Sequence, residues 1–121
     1  MRVTLMLSAL LWLTTTSATG DEPLVIVVSP LISFAPTDMT IRTRIVPNDE
    51  NRTLEIVAES DEFYRSSQIP LEGERAPAMI VVEFRDLPSG NYEIYGSLTD
   101  GAGHRRAMAK RRARVVKSGG E

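Results

Sequence analysis

The sequence contains no cysteine, one histidine and one tryptophan, and aromatic side chains make up only 6% of its residues. Each shortage excludes something. Without cysteine there is no disulfide framework, no thiol nucleophile and no attachment point for a lipid on cysteine after processing. Nucleophilic catalysis generally needs a base beside the nucleophile, and His104 is the lone imidazole, placed between Gly103 and Arg105. It reads as a solvated turn residue. The carboxylate pairs Asp49-Glu50 and Asp61-Glu62 are adjacent in sequence, and neighbours on a strand point to opposite faces. Neither pair therefore forms an acid/base couple. No catalytic, cofactor-binding or metal-ligating residue is expected, and no enzymatic activity. Asn48, Asp49 and Asn51 offer part of a calcium set without the spacing of a calcium loop. Asn51-Arg52-Thr53 has the form of a glycosylation acceptor, but in a bacterial chain it reads as a polar turn.

What is present is ordinary globular material: 42% hydrophobic and 25% charged residues, well away from the composition of disordered chains. A chain of 121 residues fits one domain. Arg2, the apolar run Val3 to Leu13 and the small and polar residues Thr14 to Gly20 follow the order of a secretory signal peptide. That run is too short to span a bilayer. Cleavage after Ala18 or after Gly20 would remove Trp12 with the peptide. The expected organisation is a signal peptide over 1–20, a domain over 21–117 and a flexible tail over 118–121. The mature protein is expected in the periplasm or outside the cell, without a transmembrane anchor. The lack of cysteine in an exported domain fits a bacterial product.

Period-two patterning fills the body of the chain. Leu24 to Val28 is a β-branched run ending at Ser29-Pro30, and Ile41, Thr43 and Ile45 alternate with Arg42, Arg44 and Val46. After the polar turn Pro47 to Asn51, Leu54, Ile56 and Ala58 alternate with Glu55, Val57 and Glu59, which predicts a hairpin with one wet face. Phe63 to Ile69 is an edge strand or an irregular crossing, closed by Pro70 and the Gly73 to Pro77 loop. Ile80, Val82 and Phe84 share one face of a further strand, and Tyr92, Ile94, Gly96 and Leu98 share one face of the next. The turn Asp100 to Gly103 joins that strand to a last one, about His104 to Val116. No segment after the signal reads as an amphipathic helix. Such a succession predicts an all-β sandwich or small barrel.

The most specific local signal is Asp86-Leu87-Pro88-Ser89-Gly90-Asn91-Tyr92, where Leu-x-x-Gly-x-Tyr closes a turn and opens a strand. It resembles the tyrosine corner of immunoglobulin-like and fibronectin-III-like sandwiches. The resemblance implies that Leu87 plugs the core, Gly90 permits an unusual backbone angle and Tyr92 ties the corner through its hydroxyl. It spans Leu24 to Val116 and implies an antiparallel immunoglobulin-like β-sandwich of about seven strands. The inter-sheet cysteine pair and the core tryptophan of antibody domains are absent. The chain is therefore more similar to cysteine-free immunoglobulin-like modules of bacterial exported proteins, which implies a fold and hardly a function.

Charge is segregated along the chain. Residues 21–100 carry 15 acidic and 6 basic side chains, a balance of −9, whereas residues 101–121 carry 7 basic and 1 acidic, a balance of +6. The basic residues concentrate on the last strand. Arg105, Arg106, Lys110, Arg112 and Arg114 are the candidate binding residues for an anionic partner: an envelope polymer, a glycan or an acidic protein, with nucleic acid not expected. Arg106, Lys110, Arg112 and Arg114 share one parity and project from one face if no bulge intervenes, while Ala107, Ala109, Ala113 and Val115 should face the core; Arg111 breaks that inner row, which predicts either a bulge near Lys110 to Arg112 or a strand end that hangs past the sheet. In such sandwiches the final strand commonly lies at an edge. Its charges would then also guard that edge against aggregation, the alternative being a structural or accessory domain with no ligand site.

Overall fold

The computed structural model describes residues 22–118; the expected signal peptide and the last residues of the expected tail lie outside them. Eight strands form: β1 Leu24–Ser29, β2 Ile32–Phe34, β3 Thr37–Ile45, β4 Thr53–Glu59, β5 Tyr64–Pro70, β6 Met79–Leu87, β7 Gly90–Thr99 and β8 Arg105–Val116. One 3-10 turn, Gly73–Arg75, lies between β5 and β6. The strands make two sheets, β1-β3-β6 and β2-β8-β7-β4-β5, in an all-β sandwich. Every pairing is antiparallel except β2 with β8, which is parallel.

The core follows the alternation. Leu24, Ile26 and Val28 of β1 and Met39, Ile41 and Ile45 of β3 are buried, as are Leu54, Ile56 and Ala58 of β4 and Ile94 and Leu98 of β7. Complete burial of each large aliphatic side chain contributes about 1.5–3 kcal/mol. Thr43, a polar residue in the inward row of β3, is fully buried and donates its hydroxyl to the Ile80 carbonyl at 2.6 Å. Gly96 holds its place for a steric reason. A Cβ there would lie 3.0 Å from Ile56 Cδ1 and 3.5 Å from Ile26 Cγ2, so its missing side chain lets β1 settle onto β7.

Three expectations are corrected. β3 and β4 are not a hairpin: β3 pairs with β1 and β6, while β4 pairs with β5 and β7. Alternation decides which face of a strand is buried and not which strand lies beside it. The Pro47 to Asn51 segment carries the chain from one sheet to the other, with the Asn51 side chain, 1% exposed, donating to the Val46 carbonyl at 3.2 Å. β4 is also not wet on its outer face throughout, since Val57, opposite Tyr95 in register, is buried.

Eight strands form, in keeping with the expected number of about seven, and the one that the alternation did not single out, β2, is bracketed by the cis peptide bonds Ser29–Pro30 and Ala35–Pro36. It pairs with Arg114 to Val116, so β8 is an edge strand only before that stretch. Second, no bulge interrupts Lys110 to Arg112. Leu98 aligns with Ala107 and Thr99 with Arg105, which makes Arg106 the extra residue. Third, Arg111 sits in the inward row opposite Ile94 yet is exposed, and its guanidinium turns back to donate to the Lys110 carbonyl at 2.7 Å. The edge-strand alternative for Phe63 to Ile69 is the one observed, as β5 ends the five-stranded sheet.

Candidate functional site

The corner and the basic strand meet at one end of the five-stranded sheet. Tyr92 is 2% exposed and donates its hydroxyl to the Pro88 carbonyl, four residues upstream, at 2.7 Å. Burial raises the affinity of that hydroxyl for its proton. Phe63 meets the ring edge-to-face with centroids 6.2 Å apart. Leu87 is fully buried beneath the turn. Gly90 has φ of +158°, and a Cβ there would lie 3.1 Å from both Cβ and Oγ of Ser60, so close approach as well as backbone angle selects glycine. These residues build the scaffold of the site.

The five basic candidates separate into three groups. Arg106, the bulge residue, points its guanidinium to the buried Asn51 Oδ1 at 2.5 Å and to Glu50 at 3.4 Å. It is a structural cation. Arg105 and Arg114 stand nine positions apart, about 30 Å along an extended strand, so they cannot belong to one small site. Lys110, Arg112 and Arg114 remain: successive members of one outward row about 7 Å apart, all exposed. Among the described residues, none of these three makes an ion pair. The register sets Glu93 of β7 and Glu59 of β4 in line with Arg112, so the outer face grades from a cationic column on β8 to an acidic one beyond it. Tyr95, on the same face, donates to Glu59 at 3.3 Å; partial burial, then the Glu59 charge, holds its hydroxyl above the usual tyrosine range.

A groove of about 780 Å³ opens at this end. Its lining includes the cations Arg112 and Arg114, the apolar Leu31 and Ile32, and the carboxylates Glu59, Asp61 and Glu93. Ile32 and Phe34 are 70% and 68% exposed, an apolar patch beside Arg114 that charge patterning alone did not reveal. The available signal was the apolar stretch Leu31 to Phe34 between two prolines. A second surface missed by the sequence reading is the outer face of the three-stranded sheet, where Arg42 lies in register between the exposed Val27 and Val81.

The remaining candidates are occupied by local structure. Asn48 Oδ1 accepts from the Glu50 amide at 2.8 Å, Asp49 pairs with Arg52 at 3.4 Å and Asn51 is buried, so their oxygens do not converge. Burial also removes Asn51 as a glycosylation acceptor. His104 is exposed and near Asp100, whose carboxylate accepts from the amides of His104 at 2.8 Å and Ala102 at 3.0 Å. Among the described residues no group of three or more His, Asp or Glu could hold a metal ion. No helix among them is long and apolar enough to cross a membrane.

No family model matches the chain, and no curated protein matches it. Solved structures do. The chain is similar to a superoxide reductase (neelaredoxin) from Ignicoccus hospitalis, with a TM-score of 0.56 and 13% identity, covering 78% of this chain and 80% of that one. It is also similar to a family 76 glycoside hydrolase from a bovine Bacteroides thetaiotaomicron strain, with a TM-score of 0.55 and 11% identity, covering 78% of this chain and 20% of that one. At these identities the likeness is one of fold.

Proposed function

We propose that this chain is a non-catalytic, exported binding module that holds an anionic partner on the Lys110, Arg112 and Arg114 row, where the groove opens. The carrying observation is that these three cations share one exposed row and make no ion pair among the described residues, although Glu93 is aligned opposite Arg112. Long cationic side chains in such a row can follow a partner whose negative charges repeat along its length. An envelope polymer or acidic glycan fits that description, as does an acidic protein segment. Leu31 and Ile32 beside the row add apolar surface to the same face.

Retention on a heparin column under a salt gradient tests the reading. Replacing Lys110, Arg112 and Arg114 together by glutamine should bring elution to markedly lower salt. Arg105→Gln, about 30 Å from the far end of the row, should shift it little. Equal shifts for all charge removals would mean non-specific attraction. A wild type without salt-dependent retention would end the proposal.

One observation favours the alternative, a structural domain whose charges only guard its edge: Arg111 caps the Lys110 carbonyl. On that reading the triple replacement increases aggregation and leaves heparin retention unchanged.

A further inference from the structure

The backbone of β8 carries an opening that its side chains alone do not explain. The Arg114 amide donates to the Leu31 carbonyl at 2.8 Å, and the Val116 carbonyl accepts from the Ala35 amide at 2.8 Å, so the backbone groups of 114 and 116 point away from β7 toward β2. Pairing with β7 is unshifted from Ala107 to Val115. Backbone direction alternates along a strand, so the amides and carbonyls of Met108, Lys110 and Arg112 point the same way. β2 does not reach them: it begins at Ile32, opposite Arg114, because the chain upstream belongs to β1 in the other sheet. Among the described residues, the one side-chain hydrogen bond to the backbone of this stretch is that of Arg111 to the Lys110 carbonyl, while Arg105 reaches only the Met108 sulfur. The guanidinium is exposed and makes no second contact of that kind, so it can swing aside.

Deepening the proposed function, on which it rests, we infer that Met108 to Arg112 is a docking edge for an extended acidic peptide, which adds to the five-stranded sheet as a strand in line with β2. Charge chooses the occupant. Lys110 and Arg112 project on the outer face, Arg111 lies on the other side of the strand, and Ala109 leaves room for an apolar residue. Alternating acidic and apolar side chains meet those positions, while backbone hydrogen bonds supply sequence-independent affinity. A second copy is disfavoured, since two β8 edges paired antiparallel would set Lys110 and Arg112 against like charges.

The probe is a blocked peptide of about eight residues alternating glutamate and valine, long enough to cover the edge. It should bind the wild type and slow amide hydrogen exchange at Met108, Lys110 and Arg112. The same peptide N-methylated at alternate amides, those facing β8, keeps its charge and should lose binding at least about tenfold. On the protein side, Met108→Pro deletes one outward amide that β7 does not use, and should weaken peptide binding by about tenfold relative to Met108→Ala without moving heparin elution. Undiminished binding of the N-methylated peptide would overturn strand addition whether or not the proline variant folds. Heparin retention through Lys110, Arg112 and Arg114 without peptide binding would overturn strand addition alone. Loss of both would overturn the anionic-partner reading and this inference with it, and self-association through β8 would replace the peptide by a second copy.

Discussion

Tyr92 shows how much one polar atom can matter in an otherwise apolar corner. Its hydroxyl is the donor to the Pro88 carbonyl, and Tyr92→Phe leaves that acceptor without its partner. The variant should lose about 1–3 kcal/mol of stability, read by chemical denaturation; an unchanged midpoint and slope would mean the hydrogen bond contributes nothing. Asp100 gives a pH-dependent counterpart. The backbone amide of His104 foremost, then that of Ala102 and the nearby imidazole, holds its carboxyl below the usual aspartate range, against a smaller opposing effect of desolvation. A folded-state value below the unfolded one, about 3.9, means stability that is present above that pH and is lost as pH falls through the folded value. Asp100→Ala should therefore differ most from wild type near neutrality, and by progressively less as pH falls below about 4. A difference constant from pH 7 to pH 3 would assign the effect to turn packing instead.

At the scale of the element, β8 joins two tasks in one strand. Its first residues are tied inward: the bulge turns Arg106 toward Asn51 and Glu50, so the cation closes the crossing between the sheets. Arg106→Ala strands the buried Asn51 oxygen and should destabilise by about 1–3 kcal/mol, whereas Arg112→Ala, exposed and unpaired among the described residues, should stay within about 0.5 kcal/mol. Parallel urea titrations of the two variants decide this, and equal losses would refute the division of labour. The later part of β8 is left outward-facing because the bulge restores strict alternation from Ala107 onward. Sequence parity placed Lys110, Arg112 and Arg114 together on these grounds. It also placed Arg106 with them, because an inserted residue reverses the parity of whatever precedes it.

For the molecule as a whole, the segregation of charge along the chain becomes a segregation across one sheet, with β8 basic beside Glu93 on β7 and Glu55 and Glu59 on β4. Export is the whole-molecule expectation open to direct measurement. Expressed in a bacterium with a secretion pathway, the protein should be recovered outside the cytoplasm shortened by about eighteen to twenty residues, as intact mass would show. Material outside the cytoplasm that still begins at Met1 would end the signal-peptide reading.

The alternation of apolar and polar residues in Ile41 to Ile45, Leu54 to Ala58, Ile80 to Phe84 and Tyr92 to Leu98 determined by itself that the protein is all-β and which face of each of these strands turns to the core. Side-chain direction on a strand is a local property with period two, so it can be read from neighbouring residues. The Leu87, Gly90 and Tyr92 corner was legible for the same reason, since its hydrogen bond closes within four residues. Which strands lie side by side was decided only in three dimensions. The separation of β3 from β4, the parallel seat of β2 on β8 and the burial of Asn51 under Arg106 all join positions 55 or more residues apart or on different sheets. Pairing across such distances depends on how the two hydrophobic faces close over each other, and no local pattern encodes that closure. The candidate site shares this division: its cations were visible along the strand, while its groove, its apolar flank and its open backbone edge exist only where β2 stops short beside β8.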